Sequence, residues 1–140
     1  MKMISLTLII SLFCVSLIAP PSPVITIIGV DAVRPYEALW TATCKVESSF
    51  DTLAIGDKHL KNKSYGIAQI RQSRLDDYYR QTGVRYTTRD MFNPVKSKEV
   101  FMFYASGYDL ECIARRWNGG PDGMEKTSTI KYWDLINSNL

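Results

Sequence analysis

Histidine is almost missing from this 140-residue chain: His59 is the only one, and no two of its three cysteines stand at the short spacing of metal ligands. That argues against a metal hydrolase, which needs a cluster of such side chains, and no metal is expected. A Cys–His nucleophilic pair would have to join His59 to Cys44 or Cys112. Both thiols fall on apolar helical faces, where burial makes a cysteine inert. Charge of one sign is scarce too: seventeen Lys and Arg against fourteen Asp and Glu leave +3. That suits an anionic surface but falls short of the basic stripe of a nucleic-acid binder, so no nucleic-acid partner is expected. Internal repeats and low-complexity tracts are absent as well. With 46% hydrophobic and 22% charged residues, the chain reads as one small globular domain with a sizeable core and an additional apolar segment.

That segment opens the chain, as MKMISLTLIISLFCVSLIAPPSP. Lys2 precedes a run from Met3 to Ala19 without a charge, and three prolines follow within four residues. The pattern is that of a secretory signal. Its 17 residues also reach the lower limit for a membrane-spanning helix. The expectation is therefore a signal peptide or N-terminal anchor over residues 1–32 and a domain over 33–140, with membrane association only if the segment stays uncleaved. A buried N-terminal helix is the plain alternative. Pro20 directly after Ala19 spoils one cleavage site, and Val30-Asp31-Ala32 lies well past the apolar run. Cys14 falls in this segment, leaving Cys44 and Cys112 in the domain. In an oxidising compartment those two could pair, with a chain-entropy gain of about a few kcal/mol. Two buried free thiols fit the sequence equally well.

From Pro35 to Phe50, apolar or small residues recur at Leu39, Ala42, Thr43, Val46 and Phe50, the three-and-four spacing of an amphipathic helix. Asp51 to Lys63 has no period and reads as a loop or short hairpin. A short helix is expected over Ser73–Thr82, with Leu75, Tyr78 and Tyr79 on its face and Gly83 to end it. Val84–Phe92 is a polar link. Asn93-Pro94 then starts a helix, Asn as cap and Pro in the first position, with Val100, Phe101 and Tyr104 as its apolar face. Leu110, Ile113, Ala114 and Trp117 keep the same spacing, and the sequence leaves open whether Ser106-Gly107 breaks this into two helices. A Gly-rich turn over Asn118–Gly123 leads to a tail helix around Ile130–Ile136. The fold class is mainly α.

Within VESSF (46–50), Glu47 is four residues from Thr43 and seven from Trp40, so it borders the buried stripe near the helix end. Partial desolvation there raises a carboxyl pKa, which lets it hold a proton near neutral pH, as a general acid must. A solvated helix-end Glu is the plain reading of such a residue on its own. Three more motifs follow in order: GIAQI (66–70) after a polar loop, Asn93-Pro94 opening a long helix, and WNGG (117–120) at a helix exit. Together the four resemble the lytic transglycosylase domain of soluble-lytic-transglycosylase type, a relative of goose-type lysozyme, over about residues 36–135. The run NKSYG (62–66) is also similar to small exported transglycosylases that accompany secretion machines.

The resemblance implies a lysozyme-like single domain that needs no cofactor. It implies that Glu47 is the sole catalytic acid and that Ser48 beside it helps hold substrate or the carboxyl. Tyr65 joins the substrate-binding residues, Gly66 lets backbone approach the sugar, and Gln69 supplies an orienting amide. Asn118 lies across the cleft, Trp117 stands where the family commonly has Tyr, and Tyr132 falls near another cleft Tyr. Ala68 replaces a larger residue, usually Met. The implied substrate is the glycan strand of peptidoglycan, cut between N-acetylmuramic acid and N-acetylglucosamine to leave 1,6-anhydromuramoyl ends. The apolar N-terminal segment adds export to the periplasm or cell envelope, and whether the partner is a secretion or a phage assembly the sequence leaves open. A second carboxylate, Asp57 or Asp51, would suit a hydrolase, a lysozyme-type muramidase, although loop aspartates mostly form turns. A wall-binding protein that keeps the fold without catalysis is the third reading.

Overall fold

The computed structural model describes the backbone from Val30 and the side chains from Tyr36 to Leu140. The expected signal or anchor lies outside the described residues, except that helix α1 (Val30–Ser48) begins three residues before the 32/33 boundary. No helix among the described residues is long and apolar enough to cross a membrane.

In α1 the stripe Leu39, Ala42 and Thr43 is buried as expected, but Phe50 is 48% exposed. The helix stops at Ser48, and the next two residues turn with φ of 52° at Ser49 and 67° at Phe50. Their N–H groups return to the carbonyls of Lys45 and Cys44 at 3.0 and 3.2 Å, which satisfies the open helix end. The reversal carries Phe50 off the stripe and leaves Glu47 on the last turn.

The polar stretch that follows forms more than a hairpin. β1 (Ile55–Gly56), β2 (Ser64–Tyr65) and β3 (Ile70–Arg71) make a small antiparallel sheet in that order, with Ile55 opposite Tyr65 and Tyr65 opposite Ile70. α2 (Gln72–Thr82) ends at Gly83 with φ 75°, the left-handed cap that a glycine adopts without a Cβ penalty. Leu75 and Tyr78 are buried, whereas Tyr79, expected beside them, faces out under the Arg85 guanidinium, 4.4 Å from its ring. The polar link contains a 3-10 turn, Thr88–Phe92, closed by Thr87 N and Oγ1 donating to Asp90 Oδ2 and by Asp90 N donating back to the Thr87 carbonyl.

α3 (Pro94–Ala105) starts as its sequence requires: the Asn93 side chain accepts from Val95 N at 2.9 Å, and Pro94 occupies the first turn. Ser106 to Asp109 breaks the chain before α4 (Leu110–Gly119), so the open question resolves to two helices. α4 holds Asn118 and Gly119 in its last turn, and Gly120 ends it. A second 3-10 turn, Gly123–Glu125, leads into α5 (Ser128–Asn137). Phe101 is fully buried at the centre, 5.2 Å from the Trp40 ring and 5.0 Å from the Trp117 ring. Around it pack Leu39, Ile70, Leu75, Met91 and Ile136, one from nearly every element.

Candidate active site

A cleft of about 970 Å³ opens between the sheet and α2 on one side and α4 on the other. Glu47 is in its wall, half-buried at the end of α1. Across the fold, α5 brings Tyr132, 9% exposed, whose hydroxyl donates to Glu47 Oε1 at 2.7 Å. Burial pushes the Glu47 carboxyl above the ordinary Glu value; the Tyr132 hydrogen bond and Arg74 pull back, and Asp57 adds to the rise. Tyr132 itself, raised by burial and by the neighbouring carboxylate, stays a donor at any working pH.

The backbone around this carboxyl is strained. The four non-glycine residues with positive φ among the described residues, Ser49, Phe50, Asp57 and Gln69, all fall in the stretch that frames the cleft. Such conformations cost about 1–3 kcal/mol each and gather at functional sites.

Gln69 and Asn118 both line the cleft, as expected, but in different conditions. The Gln69 amide is tied inward: Oε1 accepts from Ser64 Oγ at 2.7 Å, and Nε2 donates to the Gly66 carbonyl at 2.9 Å. The Asn118 side chain is exposed at the end of α4. Trp117 also lines the cleft while doing the core work of its plain reading, 7% exposed, with Nε1 donating to the Ala68 carbonyl at 3.3 Å. The two departures from the family pattern therefore meet, a larger indole against a smaller residue.

Four expected contacts are not in the cleft wall: Ser48, Tyr65, Gly66 and Tyr132, the last of which meets the cleft only through its bond to Glu47. Ser48 Oγ donates to the Ile67 carbonyl at 2.9 Å, tying the sheet loop to α1. Tyr65 sets its ring edge-on to Phe92 at 6.0 Å. At Gly66, φ 72°, a Cβ would stand 1.8 Å from the Met91 carbonyl oxygen, so the chain's own 3-10 turn already requires a glycine here. Asp57 lines the cleft, yet its Oδ2 is engaged by Arg71 at 2.5 Å. Cys44, one turn before Glu47, is a free buried thiol whose pKa burial pushes up to about 12, and Cys112 is likewise free and buried. Neither is a poised nucleophile.

Sequence reasoning missed Arg74. It stacks on Trp117 at 4.2 Å and Tyr104 at 5.0 Å, and donates to the Trp117 carbonyl at 2.9 Å, joining α2 to the helix that carries Asn118. It missed Tyr104 and Tyr108 as cleft residues as well. The available signal was the polar row Arg74, Asp77, Gln81 on α2, three and four apart, which all face the cleft.

A mainly α domain with a small sheet and a glutamate in the wall of a cleft is of the lysozyme type. Residues 32–104 match the transglycosylase SLT domain, and the chain belongs to that family. The family is associated with cleavage of glycosidic bonds in peptidoglycan. The match spans α1 to α3, so α4 and α5, with Trp117, Asn118 and Tyr132, lie beyond it. A chain of the crystal structure of Aeromonas hydrophila PliI in complex with Meretrix lusoria lysozyme is similar, with 25% identity and a TM-score of 0.61 over 73% of this chain and 88% of that one. No curated protein matches the sequence.

Proposed function

We propose that the chain is a peptidoglycan lytic transglycosylase that cuts the β-1,4 bond between N-acetylmuramic acid and N-acetylglucosamine, with Glu47 as its one catalytic carboxyl. The supporting observation is the Glu47 environment: a cleft-wall carboxyl, held by Tyr132 and pushed by burial toward its neutral form. Neutral Glu47 protonates the bridging oxygen as the bond to C1 breaks. The muramoyl N-acetyl oxygen supports the developing positive charge at C1. The Glu47 carboxylate then takes the proton of the 6-hydroxyl, whose oxygen closes on C1. The acid is regenerated, no water is consumed, and the product end is a 1,6-anhydro ring. Asn118 and Tyr108 line the cleft, and in this reading they hold sugars along it. The substrate puts the protein in the periplasm or cell envelope.

A muramidase would need a second carboxylate free to assist. Asp57 is the one nearby in the cleft, and its pairing with Arg71 and its hydrogen bond from Ser64 favour the substrate-assisted route. Glu47→Gln should keep the fold and lower the rate of clearing purified sacculi by about 10²–10⁴. Near-wild-type clearing would overturn the reading; binding of sacculi without clearing by the wild type would favour a wall-binding protein. Mass spectrometry of the fragments separates the two enzymes, because hydrolysis adds one water per bond cut, leaving each new muramoyl end one water heavier than a 1,6-anhydro end.

A further inference from the structure

The cleft carries more positive charge than its own acids neutralise. Four arginines, Arg71, Arg74, Arg80 and Arg116, share its wall with three carboxylates, Glu47, Asp57 and Asp77. Arg71 pairs with Asp57 at 2.5 Å and Arg80 with Asp77 at 2.9 Å. Among the described residues neither Arg74 nor Arg116 has a carboxylate in contact, and the remaining acid, Glu47, is held toward its neutral form by burial. Arg74 is fixed by the Trp117 carbonyl and two aromatic rings. Arg116 lies over the Tyr108 ring at 4.7 Å, with its buried Nε lacking any acceptor. A buried guanidinium N–H without a partner is costly, and a planar fork held on an aromatic ring is prearranged for a carboxylate.

We propose that Arg74 and Arg116 form an anion subsite in the cleft that binds carboxylates of the peptide stem, making this a protein for stem-bearing, anionic glycan in preference to neutral glycan. The inference rests on the transglycosylase reading for the substrate. The sugar backbone of N-acetylated glycan is neutral, so the negative charge that such a pair can select lies on the groups hung from the muramoyl lactyl ether.

The test uses binding to the full chain carrying Glu47→Gln, so that no cleavage intervenes. The probes are a soluble tetrasaccharide muropeptide with intact stems and the same compound with its carboxylates converted to methylamides, titrated by calorimetry. Intact stems should bind about tenfold more tightly, with the gap shrinking as salt screens the charges. Adding Arg116→Gln should bring the ratio near one, and Arg116→Lys should keep part of it. Arg116 is chosen because Arg74 also ties α2 to α4. Equal affinity for the two probes overturns the proposal, as does an Arg116→Gln protein with native near-UV circular dichroism and an undiminished ratio. A retained ratio in a chain whose wild type clears no sacculi would retire the transglycosylase reading and leave the subsite standing. Clearing with no ratio would do the reverse.

Discussion

At Glu47 a single hydrogen bond and a shortage of water pull in opposite directions. Burial favours the neutral acid, which the proposed mechanism needs for its first step, while the Tyr132 hydroxyl at 2.7 Å favours the carboxylate, which it needs for the second. A general acid and base in one group needs both forms within reach of the working pH. Tyr132→Phe removes the donor, so the Glu47 pKa should rise further and the alkaline limb of kcat/KM should move to higher pH. A limb that stayed in place or moved down would show that Tyr132 does not govern the proton. The existence of an acid at this helix end was legible in VESSF; its partner was not, since Tyr132 lies 85 residues away and no local pattern pairs them.

Among the elements, the shortest ones position the site. The three two-residue strands hold Gln69 and Asp57, and their loop passes so near the 3-10 turn that Gly66 has no room for a Cβ. Gly66→Ala should therefore destabilise the fold by about 2–4 kcal/mol, read by denaturant unfolding, combining a backbone clash with a positive φ. A cost under about 1 kcal/mol would mean that the turn yields easily. On the other side, buried Arg115 binds Thr129 Oγ1 at 3.0 Å and the Met124 carbonyl at 2.7 Å, fastening α5 to α4 and so Tyr132 to its station. Helix starts and stops were readable because caps are local: Asn93-Pro94 and Gly83 act within one turn. The sheet was not, because two-residue strands are too short to show alternation.

For the whole molecule, the buried Glu47 carboxyl is a stability cost that varies with pH. Its folded pKa lies above the unfolded value, so between the two the folded chain retains a proton that the unfolded chain has lost. Stability from this group is full below the unfolded pKa and is lost as pH rises through the folded one. Glu47→Gln has no proton to lose and should gain stability relative to wild type as pH rises across that window, measured by thermal unfolding at matched ionic strength. A constant difference across pH would contradict the burial of the acid. The amino-acid sequence by itself determined the mainly α domain, most helix boundaries and the candidate acid, since periodicity, caps and a carboxylate beside an apolar stripe are written within a few residues. Only the tertiary structure decided which side chains meet: it turned Ser48 and Gly66 into supports of the loop, gave Trp117 a double role, joined Tyr132 to Glu47, and brought Arg74 and Arg116 to the cleft. Those contacts join residues distant in the chain, where packing and charge choose the partner and spacing carries no record of it.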